Sequence, residues 1–156
     1  MKQLSLICLL LLTGCSEKTS LLHENEKALV GNWKKNANNG QVQGWYMEFH
    51  EDRTGIFGPV IKVNGKTGLA PYLSMMMKEW KVQNDTLSIE MAIQPGLAFY
   101  GPDGKKIEGN GKPNYAHYII REMSDSAIVL KNLIGEIPGI KDDRLKKSEK
   151  LELLGN

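Results

Sequence analysis

Along most of this chain the apolar positions recur every second residue. Trp45, Met47 and Phe49 alternate with Tyr46, Glu48 and His50, and Leu87, Ile89, Met91 and Ile93 share one face of a later run. A period of two sends successive side chains to opposite faces, so each run predicts a half-buried strand. Turn formers punctuate the runs. Residues 50–55 (HEDRTG), Asn84-Asp85, Pro95-Gly96, 101–104 (GPDG), 109–114 (GNGKPN) and 123–126 (MSDS) each end one. Asn64-Gly65 between residues 60–63 and 66–69 signals a tight type I′ hairpin. With residues 29–35 at the start, and with 80–82, 115–121 and 127–130, the pattern predicts eight or nine short strands. Their spacing suits a sandwich or barrel. Two stretches stay open. Residues 71–78 could form a helix presenting Met75-Met76-Met77, and residues 141–154 could be a strand around 144–147 or a short charged helix.

The beginning of the chain has a different pattern. Lys2 precedes an apolar run from Leu4 to Leu12, followed by the small residues Thr13 and Gly14 and then Cys15. A positive start, a short apolar stretch and small residues before a cut predict a signal peptide over residues 1–14. The run is too short to cross a hydrocarbon core of about 30 Å. Leu12-Thr13-Gly14-Cys15 resembles the lipobox of bacterial lipoproteins. That resemblance implies a diacylglycerol thioether on Cys15, cleavage before it and acylation of the new amine by a long chain such as palmitate. Residues 15–27 then form a lipidated tether and 28–156 the folded domain. The implied partner is a membrane, held through the Cys15 lipid, and the implied address is the bacterial cell envelope at the outer membrane, periplasmic or surface-exposed. Two or three buried chains, at about 0.8 kcal/mol per methylene, hold a small domain almost permanently.

Composition narrows the options. The chain has 156 residues, 41% hydrophobic and 24% charged, with a formal net charge of +2. These values fit one globular domain and disfavour disorder and multiple membrane spans. Near-balanced charge offers no footprint for nucleic acid. Of the two cysteines, Cys8 leaves with the leader and Cys15 carries lipid, so no disulfide, thiolate metal site or cysteine nucleophile is expected.

The motifs Leu29-Val30-Gly31-Asn32-Trp33, Phe49-His50-Glu51-Asp52-Arg53-Thr54-Gly55, Trp80-Lys81-Val82-Gln83-Asn84-Asp85-Thr86-Leu87 and Tyr118-Ile119-Ile120 occur in that order. Gly-x-Trp at the head of the first strand resembles the lipocalin superfamily. The whole layout over residues 29–132 resembles the lipocalin-like domains of bacterial lipoproteins. The second and third lipocalin motifs have no clear counterpart, and the signature of the related META domains is missing. The resemblance implies an all-β, antiparallel, up-and-down barrel of about eight strands. In it Gly31 and Trp33 close one end, and an arginine, Arg144 or Arg121, packs over the tryptophan. Independently of any family, a large ring beside a glycine at a strand start suits barrel closure.

Candidate chemistry is sparse. His23, His50 and His117 show no HxH or HExxH spacing, and His50-Glu51-Asp52 would alternate faces on a strand, so no metal site is expected. Ser124-Asp125-Ser126 lacks the strand–turn–helix setting of a nucleophile elbow. The glycines of 101–111 form no phosphate loop. No enzyme activity and no cofactor is expected.

The apolar set Trp45, Met47, Phe49, Trp80, Leu87, Ile89, Met91 and Tyr118 remains. These residues either fill the barrel or line a cavity for one small hydrophobic or amphipathic molecule, with Trp45 or Trp80 on its wall. The main functional expectation is therefore a membrane-anchored ligand-binding module. The alternative is an envelope interaction or inhibitor lipoprotein. It would contact an unknown protein partner through long loops near 58–79 and 94–114, and exposure of Met75-Met76-Met77 would favour it.

Overall fold

A computed structural model describes residues 22–39, 42–71, 73–92, 98–100, 106–108, 112–135, 140 and 142–154. A short helix, α1 (Glu24–Leu29), leads into β1 (Gly31–Asn39), β2 (Val42–Phe49), β3 (Gly55–Val63) and β4 (Lys66–Leu69). There follow β5 (Met75–Gln83), β6 (Thr86–Ala92), β7 (Ala98–Tyr100), β8 (Lys106–Glu108), β9 (Pro113–Met123), β10 (Ala127–Ile134) and β11 (Asp143–Lys147). β1, β2, β3, β5, β6, β9, β10 and β11 pair antiparallel in chain order, and β11 pairs back with β1. Closure removes the open edges that an eight-stranded sheet would otherwise expose. The fold is an all-β, closed, up-and-down barrel of lipocalin-like type. β4 is an extra strand on the upper half of β3, and β7–β8 form a separate hairpin within the β6–β9 connection.

The period-two runs form strands because their alternate residues meet in the centre. Trp33, Met47, Phe49, Phe57, Met77, Trp80, Leu87, Ile89, Tyr118, Ile128, Leu130 and Leu145 belong to one buried cluster. The register breaks between Met77 and Glu79, and this bulge lets Met77 and Trp80, three residues apart, both face inward. Asn64 and Gly65, at φ 50° and 80°, make the left-handed pair that a type I′ turn needs, and Asn84-Asp85, at 47° and 59°, make another.

Three expectations are corrected. Residues 75–83 are a strand, not part of a helix, because Met75 to Met77 pair with Phe57 to Gly55 and Met77 also pairs with Met91. Alternation then buries Met75 and Met77 and leaves Met76 at 57% exposure, so the run is not an exposed apolar segment. The stretch 58–79 is therefore not a long loop, since β3, β4 and β5 occupy most of it. Of the two readings of 141–154, the strand holds for 143–147, placed between β10 and β1.

The two ends of the barrel differ. The turns 50–54, 84–85 and 124–126, with α1, gather at one end. The facing ends of β1 and β2, β3 and β5, β6 and β9, and β10 and β11 lie at the other, here called the mouth. The leader, Cys15 and most of the tether lie outside the described residues, as do Ile93 and the turns 95–96, 101–104 and 109–111.

Candidate functional site

Among the described residues, no buried side-chain nitrogen or oxygen lacks a hydrogen-bond partner. Trp33 is fully buried, and its indole N–H donates to the Leu29 carbonyl at 2.7 Å. The cation over its ring is neither Arg144 nor Arg121 but Lys147, whose Nζ lies 4.3 Å from the ring centroid and donates to the Val30 carbonyl. Arg144 instead pairs with Glu122 in solvent, and Arg121 is exposed. Lys147 stands directly opposite Trp33 in the β1–β11 ladder, a juxtaposition that strand spacing alone does not reveal. Gly31 is favoured here chiefly by its backbone, since the side-chain tip of Lys147 beside it could shift. Its φ of +120° disfavours a side chain, and a Cβ would lie 2.8 Å from Lys147 Nζ.

Trp80 also serves closure. Its indole N–H donates to the Thr54 carbonyl at 2.9 Å and its backbone N–H to the Arg53 carbonyl at 2.8 Å. Phe49 meets it edge-on at 5.2 Å. Beneath lies an ion pair between the buried Glu26 and the half-buried Arg53, which is not among the sequence candidates. Glu26 accepts from Arg53 Nη2 at 2.7 Å, from the Val82 N–H at 3.2 Å and from the His23 N–H at 3.1 Å. Burial opposes ionisation of Glu26, but the Arg53 hydrogen bonds and the two amides outweigh it and hold the carboxyl below its ordinary range. Glu26 sits where a helix N-terminus favours an acid, three residues after His23. That signal was legible, but its partner 27 residues away was not.

The middle of the interior is filled. Met47, Phe49, Trp80, Leu87, Ile89, Met91 and Tyr118 are each at 3% exposure or less. A water-sized space beside them would register as exposed surface, so at this level the side chains meet one another. Tyr118 donates to the Ile140 carbonyl at 3.0 Å, and Ile140, between β10 and β11, is itself part of the core. Ile140 of the β10–β11 connection thus reaches in over the interior.

Trp45 is the exception among the eight candidates. It lies toward the mouth, half-buried, stacked parallel on Phe57 at 5.4 Å. Lys35 is its direct cross-strand neighbour. Lys35 follows Trp33, and Asp143 precedes Leu145, by two residues, so both point to the inner face, one layer nearer the mouth. Their charged atoms meet at 2.6 Å, with the side chains at 30% and 12% exposure. An aromatic plate and an ion pair therefore share the inner wall at this level. The sequence reading selected Trp45 and missed Lys35 and Asp143, although their inward parity could be read once Trp33 and Leu145 were placed.

The histidines are dispersed. His23 is the N-cap of α1, His50 bridges Glu48 and Thr54, and His117 meets the Ser88 hydroxyl at 2.9 Å on the outer wall. Among the described residues no three His, Cys, Asp or Glu side chains converge as metal ligands. No protein-family model, curated protein or solved structure matches this chain.

Proposed function

We propose that this chain is a lipid-anchored, lipocalin-like envelope lipoprotein that binds a small amphipathic molecule at the mouth of its barrel. The observation that carries this reading is the pairing of the half-buried Trp45 plate with the Lys35–Asp143 ion pair on one inner wall. The apolar part of such a molecule stacks on Trp45, and its polar part exchanges hydrogen bonds with Lys35 and Asp143. The filled middle of the barrel limits the ligand to this upper layer and to a small size. Anchoring rests on the resemblance of residues 12–15 to a lipobox and places the domain at the outer membrane through Cys15.

Titration with 1-anilinonaphthalene-8-sulfonate, an apolar fluorophore with an anionic group, tests the site. Saturable one-site binding with quenching of tryptophan emission is expected, and Trp45→Leu should abolish it while circular dichroism stays native. Absence of saturation, or binding unchanged in Trp45→Leu, overturns the reading.

A second reading has its own observation. The outer wall of β5, β6 and β9 carries an open groove of about 310 Å³ lined by Glu79, Lys81, Ser88, Glu90, Tyr115 and His117. Tyr115, on its wall, is 54% exposed, and Ile134, the cross-strand partner of His117, is 67% exposed. Such a surface favours contact with a protein partner. Loss of a co-purifying partner in Tyr115→Ser, with fluorophore binding intact, would put this reading first.

A further inference from the structure

After β11, residues 148–154 cross the outside of the barrel. The Ser148 N–H donates to the Asn32 carbonyl on β1 at 2.9 Å. On β2, Lys150 Nζ reaches Glu48 Oε1 at 3.6 Å and the Leu151 N–H donates to the Tyr46 hydroxyl at 3.4 Å. Leu151 packs on a small outer cluster of Tyr46, Ile56, Val60 and Leu69. At β4 the strap becomes a strand partner: the Leu69 N–H donates to the Glu152 carbonyl at 2.9 Å, and the Leu154 N–H to the Leu69 carbonyl at 3.0 Å. Leu153 and Leu69 form a parallel bridge.

The seat is shaped for this occupant. β4 pairs with β3 alone among the strands, so its other edge is a template for any extended segment. Gly68 stands where the strap crosses. A Cβ there would lie 2.7 Å from the Glu152 carbonyl oxygen and 2.8 Å from Leu154 Cγ and Cδ2, all three strap atoms. The missing side chain therefore clears space for the strap. Yet the hold is light: the Lys150 side chain is 60% exposed and Leu153 is 53% exposed. Beyond Ser148 the hold is two ladder bonds, one long hydrogen bond, the Lys150–Glu48 contact and the half-buried Leu151 and Leu154, a set that can break and re-form without disturbing the barrel.

The geometry points to an exchangeable strap: residues 148–154 are a ligand for the Tyr46–Val60–Leu69 seat, and the partner that fits the vacated seat is the same segment of a second copy of this chain. The second copy brings the same Lys150 to Glu48, the same Leu151 to the apolar cluster and the same backbone to Leu69, so the exchange conserves these contacts while Ser148 keeps its bond to Asn32 of its own chain. The single chain favours its own strap because a tethered segment acts at an effective concentration in the millimolar range. Exchange dominates where copies are crowded or the intramolecular contact is weakened.

Complementation between full-length variants tests this. In Gly68→Val the seat is blocked and the strap intact; in the double variant Leu151→Ser, Leu154→Ser the strap is weakened and the seat intact. Each alone should remain a monomer by native mass spectrometry. Mixed at equal concentration, they should form a one-to-one dimer, the strap of the first chain lying in the seat of the second. Circular dichroism first establishes that both variants are folded, and Gly68→Ala replaces Gly68→Val if the latter is not. The inference is overturned if the folded mixture stays monomeric, or if either variant alone dimerises as well as the mixture. Fluorophore binding at Trp45 reports the mouth separately and should be unchanged in all of these variants.

Discussion

Replacement of Trp33 tests the closed end of the barrel most directly. The side chain is fully buried, its indole N–H is 2.7 Å from the Leu29 carbonyl, and Lys147 covers its ring. Trp33→Ala removes a whole buried aromatic, which costs about 3–5 kcal/mol. It also takes the indole donor from the Leu29 carbonyl, and a buried polar group left unsatisfied costs about 1–3 kcal/mol. The two losses overlap, so the expected total is about 4–6 kcal/mol, most of the stability of a domain in the range of about 5–15 kcal/mol. Trp33→Phe keeps most of the apolar surface and loses the donor, so it should cost about 1–3 kcal/mol. Lys147→Met keeps the aliphatic stem and loses the charge over the ring, for about 0.5–2 kcal/mol. Urea unfolding followed by circular dichroism, extrapolated linearly to water, ranks the three. The expected order is Ala worst, then Phe and Met. A Trp33→Ala loss below about 1 kcal/mol, the scale of a surface substitution, would refute the closure role.

Glu26→Gln should lower stability at neutral pH and flatten its acid limb. The native carboxyl titrates below its ordinary value, so its contribution is complete above the ordinary glutamate range and disappears as pH falls through the folded value. Unfolding midpoints across acid pH should therefore converge for the two proteins, and parallel curves would argue against the linkage. Tyr118→Phe removes the hydroxyl held by the Ile140 carbonyl and should cost about 1–2 kcal/mol in the same urea assay. Cys15→Ala should abolish acyl labelling and membrane retention, and a variant still sedimenting with membranes would sink the anchoring proposal. A fragment spanning 16–156, which has no cysteine, should melt at the same temperature with and without reductant.

The sequence by itself determined the local pieces of this protein. The alternation around Trp45–Phe49 and Leu87–Met91 is a one-dimensional signal, since a strand needs only parity to divide its two faces. Asn64-Gly65 and Asn84-Asp85 declare their turns because few residues tolerate left-handed backbone. Many short runs left sandwich and barrel both open, the resemblance of the Gly31–Trp33 motif pointed to the barrel, and Trp33 was singled out before any partner was known. Tertiary structure alone decided which residues meet. Met75 to Met77 read as part of a helix over 71–78, and only pairing with β3 and β6 makes them a strand. Lys147, and neither arginine, covers Trp33 because the β1–β11 register sets it opposite, and register is a property of two distant strands. Glu26 and Arg53 become an ion pair only when α1 folds under the β2–β3 turn. Likewise, whether Met47, Ile89 and Tyr118 line a cavity or fill the core depends on how far eight side-chain sets reach into one volume. Local backbone preference is written residue by residue, whereas register, closure and interior volume arise from contacts between residues far apart in the chain. That physical difference divides what the chain declares from what only its folding settles.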